Sequence, residues 1–239
     1  MTNVHHRRDF IGVTAGVAAG VALAATAANA LAQGAPKVEY AIKRLPFDPG
    51  RIKGLSEKLL VSHYENNYSG AVKRLNAISA QLAGLDMATA PVFVVNGLKR
   101  EELIAANSMI LHELYFDGLR SEGGGEGDPQ GALAEQIAKD FGSLARWRAE
   151  FAAVGKALGG GSGWALLTWS PHDKRLAITW AADHTMTLAG GRPILALDMY
   201  EHAYHMDYGA RAAAYVDAVM QAIRWDNAAA LFERYSRES

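Results

Sequence analysis

The chain reads as an α+β protein. An N-terminal helical hairpin domain (residues 38–120) is followed by a C-terminal α/β domain (128–236) of helices around a small three-stranded antiparallel sheet. Three observations lead there. Apolar residues recur at helical spacing through the first half, three short strand-like runs cluster in the second, and a glycine-rich stretch from Gly118 to Gly131 separates the halves.

Composition sets the outer limits. With 239 residues, half of them hydrophobic, the chain can bury one compact core or two small ones. Lys and Arg (24) nearly balance Asp and Glu (25), so the net charge of -1 carries no nucleic-acid footprint. Cysteine is absent. That excludes disulfides and thiolate metal sites, so any metal here is held by nitrogen and oxygen.

Residues 1–32 read as an address. Arg7-Arg8-Asp9-Phe10-Ile11 is a twin-arginine pattern, and an uncharged Ala/Gly-rich run to Ala32 offers small-residue cleavage sites at Ala28-Asn29-Ala30 or Ala30-Leu31-Ala32. A transmembrane anchor is the competing reading, but Ala and Gly make the run only mildly apolar. The expectation is a cleaved signal peptide, a periplasmic mature protein and no stable membrane anchor.

The elements follow in order. Val38 to Pro49 is extended, with Leu45-Pro46-Phe47-Asp48-Pro49 blocking a helix. From Leu55 to Leu85, Leu59, Leu60, His63, Tyr64, Val72, Leu75, Ile78 and Leu82 keep helical spacing behind Ser56 as N-cap, in one helix or in two broken near Glu65-Asn66-Asn67. Ala88 to Pro91 interrupts the pattern, and Arg100 to Phe116 restores it with His112 inside. Two helices flank Asp140-Phe141-Gly142-Ser143. Strands are expected over Ala165–Trp169, Arg175–Ala181 and Pro193–Leu197, with Pro171-His172-Asp173-Lys174 as the first turn. From Gly209 onward the chain is expected to be helical to the end.

One stretch carries chemistry. Asp198 ends a strand and His202 is expected in the first turn of the next helix, where four residues of helical spacing bring carboxylate and imidazole onto one side of the backbone and could let them hold one ion. By themselves such a pair, or a lone His63 or His112 on an apolar face, would be ordinary core or surface residues. The wider wording changes this. Asp198-Met199-Tyr200-Glu201-His202-Ala203-Tyr204, with Asp207-Tyr208 close behind, resembles the C-terminal signature of the iron/manganese superoxide dismutases. Leu55-Ser56-Glu57 leading to His63-Tyr64 and Leu75-Asn76, the Gly-rich connection, and Gly161-Ser162-Gly163-Trp164 are similar to that family too.

The resemblance spans roughly residues 38–236 and has several implications. One Fe or Mn ion would be bound by His63, His112, Asp198 and His202, leaving a fifth position for water or hydroxide, and the activity would be conversion of superoxide to dioxygen and hydrogen peroxide. A homodimer is implied, in which Glu201 reaches the partner subunit's matching histidine. The departures lie around the site. Ala71 replaces a gateway tyrosine, Asn67 a histidine, Tyr200 a tryptophan, and Leu166 a second tryptophan after Trp164. Tyr68, about 60° from position 71 on an α-helical wheel, could stand in for the missing phenol. Asn67 and His205 would replace a family His–Tyr hydrogen bond across the dimer. The family places a Gln against the metal-bound solvent, either from the helix position occupied here by Ser108, which is too short, or from the sheet segment, where His184 aligns; His184 would then bond the solvent ligand. Two alternatives stay open, a dismutase-like metal-binding protein with weak or no activity, and a metal-dependent oxidoreductase of other chemistry.

Overall fold

The computed structural model describes residues 37–121 and 127–238; the signal-peptide reading and the centre of the Gly-rich connection lie outside them. The first helical run begins as expected. Ser56 has extended backbone and its Oγ accepts from the Leu59 amide at 3.1 Å, which opens α1 (Glu57–Ser62). The chain neither stays α-helical nor breaks at Glu65-Asn66-Asn67. It widens into a π-helical turn over His63–Tyr68 and then resumes as α2 (Ser69–Ala83).

The extended N-terminal segment lies along this helix and is held by side chains rather than by a strand. Asn76 bonds both backbone groups of Tyr40 (2.8 and 2.9 Å), Ser79 both of Val38 (3.2 and 3.0 Å), and Tyr68 and Tyr64 take the amide and carbonyl of Lys43 (2.8 and 3.0 Å). An extended segment beside a helix has no backbone ladder, so these bonds supply the partners it needs.

α3 (Val92–Asp117) packs along α2 as the second arm of the hairpin. It starts eight residues earlier than the expected Arg100. Pro91 sits at its N-cap, and the β-branched run Val92, Val94 and Val95, weak helix formers on their own, is carried in the first turns. α4 (Gly131–Phe141) and α5 (Leu144–Ala157) are joined at Gly142, whose φ of 84° suits glycine, with Ser143 capping α5.

β1 (Trp164–Ser170), β2 (Arg175–Ala181) and β3 (Arg192–Asp198) form the antiparallel sheet in the order β2-β1-β3. β1 is buried throughout, as its central place requires. A single 3-10 turn (Glu201–Ala203) and the short α6 (His205–Tyr208) lead to α7 (Ala212–Gln221) and α8 (Trp225–Arg237). The expected unbroken terminal helix is therefore in pieces. The break between α7 and α8 has a long-range cause, because the Arg120 amide bonds the Ala222 carbonyl and the Arg224 amide the Gly118 carbonyl, both at 2.8 Å, tying the end of the hairpin to the C-terminal domain. One core runs through both halves, with Leu60, Ile137, Trp147, Trp164 and Tyr215 fully buried. Each such side chain contributes roughly 1.5–3 kcal/mol to stability.

Candidate metal centre

The fold brings four residues from four segments to one point. His63 opens the π-helical turn, His112 lies on α3, Asp198 is the last residue of β3, and His202 sits in the 3-10 turn just beyond. Asp198 Oδ1 accepts from the Tyr200 amide at 2.9 Å, which turns the chain toward His202 and leaves Oδ2 free to face the histidines.

Asp198 Oδ2 lies 3.1 Å from His63 Nε2, 3.2 Å from His202 Nε2 and 3.5 Å from His112 Nε2, and the last two nitrogens are 3.4 Å apart. All four donor atoms fall within 4.8 Å of one another. Donors about 2.1 Å from a first-row ion and 90–120° apart stand roughly 3.0–3.6 Å from each other, so the set has the spacing of an ion's shell. Its chemistry agrees. His112 Nδ1 donates to the Ser108 carbonyl at 2.6 Å, which puts its proton there and leaves Nε2 with a lone pair facing its neighbours. His63 Nδ1 is buried without a partner, and the ring is held instead between Tyr115 and Phe116, with centroids at 5.2 and 5.1 Å.

Burial sets the charge state. It lowers the His63 imidazole, and it pushes His112 down to about 3, helped by His63 beside it. Burial alone would raise Asp198, but His202 and His63 outweigh it and hold the carboxyl far below the usual range. The cluster thus sets one buried anion, Asp198, against the neutral imidazoles of His63 and His112, with His202 Nε2 converging on the same point, a cage suited to a cation.

The surroundings explain how these groups are aimed. Trp164 on β1 is the direct cross-strand partner of Asp198 on one side and of Ala181 on the other. It is fully buried and lies edge-on to His112 at 5.3 Å. The same register delivers His184, three residues past β2, to the tryptophan. The Trp164 indole donates to His184 Nδ1 at 3.0 Å, and Tyr200 stacks on His184 at 4.7 Å and 15°. His184 is 6.1 Å from His112 ring to ring, and burial lowers its imidazole.

Other expected residues lie elsewhere. Tyr68 is bonded to the N-terminal segment and to α3. Its hydroxyl donates to Glu113 at 3.0 Å and accepts from the Lys43 amide, and burial pushes it up to about 12. Ala71 is buried, Leu166 is fully buried in β1, and the Ser108 side chain stays within 3.4 Å of His112 Nδ1. Glu201 and His205 are exposed and Asn67 is partly so. Sequence reasoning missed Asn107, whose Nδ2 donates to the His184 carbonyl at 2.5 Å.

Residues 129–231 match the family model for the C-terminal domain of iron/manganese superoxide dismutases. An iron superoxide dismutase of Cupriavidus metallidurans is 67% identical over 199 residues, which cover 83% of this chain and 99% of that protein. A manganese superoxide dismutase of Halobacterium salinarum is 36% identical over 82% of this chain and 96% of its own length, and an iron superoxide dismutase of Aquifex pyrophilus is 33% identical over 78% and 88%. The chain belongs to the iron/manganese superoxide dismutase family.

Proposed function

We propose that this protein is a superoxide dismutase that holds one Fe or Mn ion through His63, His112, Asp198 and His202. The observation that carries the reading is the convergence of three Nε2 atoms on one buried carboxylate oxygen, in a chain 67% identical to an iron superoxide dismutase. The bound metal supplies the one-electron exchange by which one superoxide is oxidised to dioxygen and a second, taking two protons, is reduced to hydrogen peroxide. The chain's own residues do the rest. Asp198 contributes the negative charge, His112 is kept in one tautomer by the Ser108 carbonyl, and Trp164 closes the apolar side of the site.

His184 is read as the residue that bonds the metal's solvent ligand. With Nδ1 accepting from the Trp164 indole, a group that can only donate, the neutral imidazole holds its proton at Nε2. It offers that N–H as the amide of a glutamine would. Export by the twin-arginine route to the periplasm and a homodimer complete the proposal. Arg7-Arg8 and the Ala-rich run support the first. Exposed Glu201 beside the part-exposed His202 supports the second, with Asn67 and His205 as the hydrogen-bonded pair across the dimer.

A second reading, a dismutase-like metal-binding protein with slow turnover, rests on Ala71 and on Tyr68, whose hydroxyl is engaged by Lys43 and Glu113. Metal analysis with a superoxide-consumption assay on purified wild type and on His63→Ala, His112→Ala, Asp198→Ala and His202→Ala separates the two. Metal lost together with activity in the variants supports the first reading. Full metal content in all four variants contradicts the ligand set, and a metal-loaded but inactive wild type supports the second.

A further inference from the structure

His184 comes from the loop between β2 and β3, a segment with no ladder of its own, yet it meets groups from three other elements. Trp164 of β1 donates to its ring, Tyr200 of the turn after β3 stacks on its face, and Asn107 of α3 donates to its backbone carbonyl. Its neighbours are pinned as well. Asp183 Oδ1 accepts from the Thr185 amide and hydroxyl (2.7 and 2.6 Å), and Ser162 Oγ donates to the Ala182 carbonyl at 3.2 Å. Those bonds shape the loop but tie it only to itself and to the start of β1. The Asn107 bond ties it to the helix that carries His112, one and a half turns from the imidazole that faces the other donors.

We propose that Asn107 is a positioning residue for the reaction, setting the distance between the His184 ring and the His112 side of the metal site by fixing the His184 carbonyl to α3. The inference rests on the reading of His184 given above. The stack on Tyr200, the bond between the Tyr200 hydroxyl and the His184 backbone, and the indole bond hold His184 to β1 and to the turn after β3, and none of them ties it to α3. The Asn107 bond supplies that link, and removing it should move the ring relative to His112 by the few tenths of an ångström that matter to a hydrogen bond with bound solvent. Sequence alone cannot show this, because Asn107 and His184 are 77 residues apart.

The experiment compares metal-loaded wild type, Asn107→Ala, Asn107→Asp and His184→Ala in three readouts: the electron paramagnetic resonance or visible spectrum of the oxidised metal, its reduction midpoint potential, and kcat and KM for superoxide. Asp keeps the shape of Asn but places a carboxylate oxygen, which cannot donate, against the carbonyl. Both Asn107 variants are expected to bind the metal fully, to shift spectrum and potential in the direction His184→Ala shifts them, and to lower kcat roughly tenfold with little change in KM. Asn107 variants that keep the wild-type spectrum, potential and kcat while His184→Ala changes all three would overturn the role of Asn107 alone. A lower unfolding temperature without the spectral shift would mark an ordinary structural contact and overturn it equally. If His184→Ala itself leaves the spectrum and potential unchanged, the reading of His184 fails first and the role of Asn107 with it.

Discussion

Trp164 and Asp198 face each other directly across β1 and β3, and the residue before Trp164 has no room for a side chain. Gly163 has φ 131°, a Cβ there would lie 2.0 Å from the Ala181 carbonyl oxygen, and its own carbonyl accepts from the Met199 amide at 2.9 Å. The two edge strands are thus brought together at the point where the tryptophan, the carboxylate and the His184 loop begin. Gly163→Ala combines a forbidden backbone angle with a clash against backbone. It is expected to destabilise the fold by more than about 3 kcal/mol, read by urea or thermal unfolding, or to leave no soluble protein; a loss under about 1 kcal/mol would contradict the packing described.

Tyr68 gives a second test. Its hydroxyl latches the N-terminal segment to α3 through Lys43 and Glu113. Tyr68→Phe should therefore cost roughly 1–3 kcal/mol of stability, the cost of unpaired buried groups, while turnover per bound metal stays within about twofold of wild type. A large loss of turnover at unchanged stability would restore Tyr68 to the site.

How far the fold was legible turns on whether its causes were local. β2 was readable residue for residue, since Pro171 to Lys174 marks its start and Arg175 to Ala181 reads as one strand-like run, and Ser56 announced its helix by capping chemistry. The π turn at His63, the first turns of α3 and the break between α7 and α8 were not readable. The last is set by long-range partners, the bonds of Gly118 and Arg120 to Arg224 and Ala222. At the site, the four converging residues were legible through their neighbours in sequence, whereas Asn107 acts on a residue 77 positions away.

Acid should act through the histidines. In the unfolded chain they titrate near 6.5, and in the fold burial lowers His63 and holds His112 near 3. As pH falls below about 6.5 the unfolded state gains protons that the folded cage refuses, so the metal-free protein should lose about 1.4 kcal/mol of stability per pH unit for each such histidine. The loss levels off only as the folded value is reached. Metal affinity should fall over the same range, because protons and metal compete for Nε2. Thermal unfolding of the metal-free protein between pH 7 and 4 checks this, and His112→Gln should flatten the slope; an unchanged slope in that variant would contradict the assignment.

Glu201 is the expected link between subunits. Glu201→Ala should shift the protein toward monomer in sedimentation velocity and weaken metal binding about 10–100-fold, as loss of a carboxylate behind a ligating histidine does. A wild-type protein that sediments as a monomer at micromolar concentration with full metal content would remove this part of the proposal.

The central claim is that the cage of His63, His112, Asp198 and His202 holds a redox metal that dismutates superoxide. Its most direct test is the decay of a superoxide pulse followed spectroscopically at increasing concentrations of the purified metal-loaded protein, with metal content measured on the same samples. The expected result is a decay rate proportional to bound Fe or Mn and lost together with the metal in Asp198→Ala. Stoichiometric metal in the wild type with superoxide decaying no faster than in buffer would contradict it.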